Sequence, residues 1–156
     1  MKSEVNKLRA VVQRTIYSSV KVNDESIAGI NKGLMVLLGI KKGDTQKEAE
    51  YIMDKIANLR IFPDQEGKMN LSVLDIKGKV LLVSQFTLYG DVRKGRRPSF
   101  IDAELPEKAL PLFDYSLAYL RGLGLEAKTG VFGAEMQVFI ANDGPCTILL
   151  DSEKVF

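Results

Sequence analysis

Short apolar runs separated by polar turns recur along the chain, and two longer stretches place apolar residues three and four positions apart. Residues 8–13 begin a strand. Residues 19–22 and 26–30 read as hairpin arms with Asn23-Asp24 at their turn. The Asn31-Lys32-Gly33 turn leads into residues 34–40, whose unbroken apolar pattern suits a strand buried on both faces. A charged loop, 41–44, follows. Thr45 and Glu48 then have capping-box spacing, and Ala49, Ile52, Met53, Ile56 and Leu59 share one helical face, so a helix is predicted to about Arg60. Residues 63–68 form a turn pivoting on Gly67, 69–71 a short strand, and Lys77-Gly78 leads into a central strand. Pro106 suits the first turn of a second helix, with Leu110, Phe113, Leu117 and Leu120 on its apolar face and Gly122 and Gly124 stopping it. Strands are predicted at 126–131, 135–141 and 146–150, with 142–145 between the last two. The order β-β-β-α-β-β-α-β-β-β predicts a single α+β domain over 8–156. Its sheets should be mainly antiparallel and form a barrel-like core with two covering helices. Residues 1–7 are polar, lack a period and read as an N-terminal extension.

Composition narrows the chemistry. The 156 residues suffice for one core, and 46% hydrophobic with 27% charged residues is ordinary for a globular chain. No apolar run reaches membrane-spanning length and no signal-peptide core is visible, so the expected location is cytoplasmic. The single cysteine, Cys146, forms no disulfide within one chain. A net charge of +2 does not by itself mark a nucleic-acid partner. There is no histidine. That removes Ser-His-Asp and Cys-His catalysis and histidine-ligated zinc. Carboxylates, lysines, hydroxyls, backbone amides or groups of the substrate remain.

The stretch 79–89 is where chemistry concentrates. The apolar run 80–83 turns polar at Ser84 and Gln85, passes Phe86 and presents the hydroxyl of Thr87 before Gly90 and Asp91 end it. This is either a core strand leaving the interior or a rigid element delivering polar groups to a site. The run Arg93-Lys94-Gly95-Arg96-Arg97-Pro98 comes next, either as a solvated loop or as a phosphate-contacting one.

Two segments carry a resemblance. Ser84-Gln85-Phe86-Thr87-Leu88 and Asn142-Asp143-Gly144-Pro145-Cys146-Thr147 are similar to the two signature motifs of the D-aminoacyl-tRNA deacylases, of the bacterial and eukaryotic type. Supporting blocks are residues 9–14, 67–70, 97–100, Phe132-Gly133 and Met136, so the likeness spans roughly 8–151. Position 146 departs from it, with cysteine where the family usually has valine. The resemblance implies a homodimer that hydrolyses the ester between a D-amino acid, or mischarged glycine, and the terminal adenosine of tRNA. The resemblance is not to the zinc-dependent archaeal type, so it implies no cofactor and no metal, and it implies that no protein base is required because the family recruits the 2′-hydroxyl of the tRNA ribose. By resemblance Ser84, Gln85, Phe86 and Thr87 line the pocket, with Ala103, Phe132 and Met136 around the adenine; read alone, those three are ordinary core. Backbone N–H groups at Phe86-Thr87 are expected to stabilise the oxyanion. Thr87 is either a positioning hydroxyl or, as viewed in the family, a nucleophile. Gly144-Pro145 is implied to be a cis chirality filter reaching into the partner's pocket; the plain alternative is an ordinary turn. Arg93, Lys94, Arg96 and Arg97 are the candidate tRNA phosphate contacts. The rival readings are a non-catalytic nucleic-acid-binding dimer of the same fold and an esterase of small D-amino acid esters.

Overall fold

The computed structural model describes residues 8–156, and the expected extension at 1–7 lies outside the described residues. The fold closes around strand β6 (Lys79–Ser84), in which Val80, Leu81, Leu82 and Val83 are all essentially inaccessible to solvent. It lies between two parallel neighbours, β3 (Gly33–Gly39) and β7 (Glu126–Thr129). A strand with parallel partners on both sides has both faces covered, which is why its sequence is a continuous apolar run. Val80 and Leu82 face the larger core beneath the helices, and Leu81 and Val83 face a second, smaller core with Val20, Ile30 and Met35.

The remaining pairings are antiparallel. Strand β1 (Arg9–Val22) is fourteen residues long and joins the expected 8–13 and 19–22 segments into one element. Its first half pairs with β3 and its second half with β2 (Glu25–Ile30) across a turn whose Asn23 and Asp24 both have positive φ. Along its other side runs β8 (Gln137–Asp151). The small hairpin of β4 (Phe62–Pro63) and β5 (Met69–Leu71) completes the strands. Four of the six strand pairings among the described residues are antiparallel. The two parallel ones join strands whose connections are long crossovers that each contain a helix, not tight turns.

Helix α1 (Gln46–Asn58) starts where the capping box predicts: the Glu48 carboxylate accepts from the Thr45 N–H at 2.8 Å and from its hydroxyl. Helix α2 (Pro106–Gly122) begins on Pro106, and Gly124 follows its end at φ +97°. Phe113, Leu117 and Leu120 are buried as expected, joined by Ala109 and Leu112, whereas Leu110 is solvent-exposed. The helices are joined by hydrogen bonds from Tyr115 to Glu50 and from Tyr119 to Asp54.

The segment 142–145 is not a link between two hairpin strands. Both halves of β8 run along β1 in one direction, with the register slipping between the Gln13–Thr147 and Thr15–Asn142 pairs. The segment is a bulged excursion from one long strand.

Candidate functional site

The apolar drive of β6 ends at Ser84, and the next residues fold into a 3₁₀ turn, Phe86–Tyr89. This turn lies close against β3. A Cβ on Gly39 would stand 3.0 Å from the Leu88 Cβ and 3.2 Å from both the Gln85 carbonyl oxygen and the Tyr89 ring. Gly39 therefore permits the approach. The Gln85 N–H donates to the Leu38 carbonyl at 2.8 Å, and the Gly90 N–H to the Thr87 carbonyl at 2.9 Å. The N–H groups of Phe86 and Thr87 open the turn and have no partner inside it.

Against this turn lies a cavity of about 590 Å³. It is lined by Ser84, Gln85, Phe86 and Thr87, by Phe100, Ala103 and the start of α2, and by Phe132, Gly133 and Met136. Thus the seven residues expected around the substrate, including Ala103, Phe132 and Met136, line one space. Gln85 Nε2 donates to Thr87 Oγ1 at 2.9 Å, which orients the hydroxyl and leaves its proton to donate elsewhere.

Glu104 supplies the cavity's one ionisable side chain among the described residues. Its two carboxylate oxygens accept from the Gly43 N–H at 3.0 Å and the Leu105 N–H at 2.9 Å. With the Glu104 N–H donating to the Ile40 carbonyl and the Lys42 N–H to the Asp102 carbonyl, these bonds fasten the cavity rim to the loop after β3. Within that loop Asp44 is half-buried. Its Oδ2 accepts from the Lys41 N–H at 2.6 Å, while its Oδ1 and the Tyr89 hydroxyl are buried without partners among the described residues. Burial pushes the Asp44 carboxyl up to about 7, aided by the charge of Glu48. Burial, followed by the charge of Asp44, pushes the Tyr89 phenol up.

The family model for D-Tyr-tRNA(Tyr) deacylase matches residues 11–151. The chain belongs to this family. A D-aminoacyl-tRNA deacylase from Syntrophomonas wolfei is 65% identical over 96% of the chain and all of that relative. One from Thermosipho melanesiensis is 57% identical with the same coverage. The solved structure of c-Myc DNA Unwinding Element Binding Protein superposes with TM-score 0.86 at 48% identity, over 91% of this chain and 97% of that one. A probable eukaryotic D-amino acid tRNA deacylase superposes at 0.80 with 19% identity and shares the fold.

The other family motif sits apart from the cavity of its own chain. The Gly144-Pro145 peptide bond is cis, and neither residue lines that cavity. Arg14, buried in β1, holds the segment: its Nε donates to the Asp143 carbonyl at 3.0 Å and its Nη1 to the Ile61 carbonyl at 2.6 Å. Gly144 has φ +131°, and a Cβ there would approach Arg14 Nη2 to 2.9 Å. The Cys146 N–H is held by Asn142 Oδ1 at 2.7 Å.

The basic loop leaves the 3₁₀ turn and returns to the cavity wall, its base closed by paired backbone bonds between Asp91 and Ser99. Arg93 turns back on Asp91 in a two-pronged contact at 3.0 and 2.7 Å, which holds the Asp91 carboxyl down to about 2. Lys94, Arg96 and Arg97 are exposed and make no ion pair among the described residues.

Three participants escaped the sequence reading. Arg14 and Phe100 lie inside quoted motif blocks but drew no role, and Glu104 lies next to a named residue. Their partners are distant in sequence: Arg14 reaches Ile61 and Asp143, and Glu104 reaches Gly43.

Proposed function

We propose that the protein hydrolyses the ester linking a D-amino acid to the 3′-terminal adenosine of tRNA, and that it also clears mischarged glycine. The observation that carries this is the cavity itself. The pocket residues of the family gather around it, and its one carboxylate among the described residues is already engaged by two backbone N–H groups. With no histidine in the chain, the 2′-hydroxyl of the terminal ribose fits as the group that assists attack on the neighbouring ester. The free N–H groups of Phe86 and Thr87 stabilise the oxyanion; one such donor in a dry pocket contributes about 10²- to 10³-fold in rate. Thr87 positions the ester or a water, since Gln85 donates to its hydroxyl and no base among the described residues accepts from it.

The working form is a homodimer. Ile16, Tyr17, Phe139 and Leu149 are exposed apolar side chains on the paired β1 and β8, which suits a surface covered by a second copy. Gly144-Pro145 lies away from its own cavity, so a role in selection requires the partner's. There its backbone would hold the substrate amino group and collide with an L side chain, while a D side chain points out and glycine presents nothing to exclude. Lys94, Arg96 and Arg97 contact acceptor-stem phosphates, and the site of action is the cytoplasm. No helix among the described residues is long and apolar enough to cross a membrane.

The decisive experiment compares D-tyrosyl-, L-tyrosyl- and glycyl-tRNA with the purified protein, with and without chelator. Loss of the D and glycyl esters, with the L ester spared and chelator without effect, is the expected result. The similarity at 48% identity to c-Myc DNA Unwinding Element Binding Protein favours a second reading, a nucleic-acid-binding dimer without catalysis. Stable tRNA esters together with tight DNA binding would establish that reading instead.

A further inference from the structure

Phe86 and Phe100 line an apolar cavity yet remain 56% and 38% exposed, so both rings stand at its rim. They meet edge to face, with centroids 5.1 Å apart and planes 73° apart. In such a contact one ring's edge meets the other's face, so the rings do not stack on each other and each keeps part of its surface open to solvent. Phe100 is braced from behind: a Cβ on Gly90 would come within 3.1 Å of its ring. The ring follows directly on the loop that carries exposed Lys94, Arg96 and Arg97, whose base is pinned by the Asp91–Ser99 pair. Braced aromatic faces beside unpaired cations are the arrangement by which proteins hold single-stranded nucleic acid: bases stack on the rings while cations follow the phosphates.

We propose that the exposed face of Phe100 is a stacking platform for the unpaired nucleobase immediately 5′ of the terminal nucleotide, with Arg96 and Arg97 on the phosphates of the strand leading away. This rests on the tRNA reading above and extends it from the terminal nucleoside to its neighbour. A strand whose last nucleoside fills the cavity must leave over this rim. The exposed Lys94, Arg96 and Arg97 beside this rim are the charge complement of a polyanion. The platform reads no particular base, because every base has a π face, so the preference is for an unpaired nucleotide of any identity.

The test measures binding of ligands that carry no aminoacyl group to the whole protein by calorimetry: adenosine, the dinucleotide CpA, and the same dinucleotide lacking its 5′ base. Restoring the base should tighten binding about tenfold, within the range for one stacked base. In Phe100→Ala that gain should fall to less than about twofold, and in Phe100→Tyr it should persist. Equal affinities for CpA and its abasic form would overturn the platform, even if D-aminoacyl-tRNA is hydrolysed and the functional reading stands. An equal loss for both ligands in Phe100→Ala would reduce the ring to cavity wall and also overturn it. A shift of Phe100→Ala to monomer in sedimentation would assign the rim to a subunit contact instead. Failure to bind adenosine or CpA, with D-aminoacyl-tRNA left intact, would remove the tRNA reading itself and the platform with it.

Discussion

Thr87 and Asp44 show how much one side chain's surroundings decide. The Thr87 hydroxyl accepts from Gln85 and has no base among the described residues to receive its proton. A hydroxyl that only positions groups is worth about one neutral hydrogen bond. Thr87→Ala should therefore lower kcat by roughly three- to tenfold and leave hydrolysis measurable in single-turnover assays. Loss to background with an unchanged circular dichroism spectrum would make Thr87 the nucleophile. Asp44 is a matter of stability. Its carboxyl, ordinarily near 3.8, is pushed up to about 7 by burial, with Glu48 adding to the effect and the Lys41 N–H opposing it. Tyr89 and the more distant Asp151 complete its surroundings. A folded-state value above the unfolded one favours the fold while the group is protonated. The contribution is fully present below pH 3.8 and is lost as pH rises through about 7. Asp44→Asn should therefore match the parent's melting temperature near pH 4 and exceed it at pH 8. A constant gap across that range would show that the charge of Asp44 is not the cause.

At the level of elements, the site depends on two close approaches of backbone. The 3₁₀ turn lies against β3 because Gly39 has no side chain. Gly39→Ala must move Leu88, Gln85 or Tyr89 by a few tenths of an ångström. Overpacking of this kind costs roughly 1–3 kcal/mol. The expected outcome is a lower melting temperature together with a larger loss in kcat than in substrate affinity, because the turn carrying Phe86 and Thr87 shifts. A variant that melts earlier with kcat intact would separate the turn from the chemistry. The second approach is the excursion in β8, anchored by Arg14. Gly144→Ala would combine an unfavourable φ with a Cβ only 2.9 Å from Arg14 Nη2. Such a variant should lose D-ester hydrolysis and also melt earlier, so its thermal stability has to be measured beside its selectivity.

For the whole molecule, assembly and charge are the testable properties. A 17.3 kDa chain with exposed apolar residues on β1 and β8 should sediment as a dimer at micromolar concentration. A monomer that retains selectivity would remove the shared filter. Arg96→Glu with Arg97→Glu should cut kcat/KM on tRNA substrates at least tenfold and reduce the steepness of its fall with salt, since each lost phosphate contact lowers the slope by about 0.7–0.9. Small D-amino acid esters should be spared. An equal loss on both substrates would end the phosphate-contact assignment for this loop, and with it the distinction from a small-ester hydrolase.

Much of this molecule was legible in the chain alone. The capping box at Thr45, Pro106 at the start of α2, the apolar run of β6 and the turn residues Asn23-Asp24 are local signals, set by backbone preference and hydrophobic period within a few residues. They specified the helices, most of the strands and the α+β class. The turn from apolar to polar at Ser84 through Thr87 was legible because those residues are contiguous, and the resemblance to the family gave the stretch its expected role. What local pattern does not carry is partnership across the chain. The parallel pairing of β6 with β3 and β7, the run of β8 straight past its excursion, and the joining of two segments into β1 were settled by which edges lay free after collapse. The same holds for Arg14 between Ile61 and Asp143, for Glu104 against Gly43, and for Phe100 against Phe86. Each is a contact between residues that only packing brings together, because hydrogen-bond satisfaction and burial are properties of the folded surface, not of neighbours in sequence.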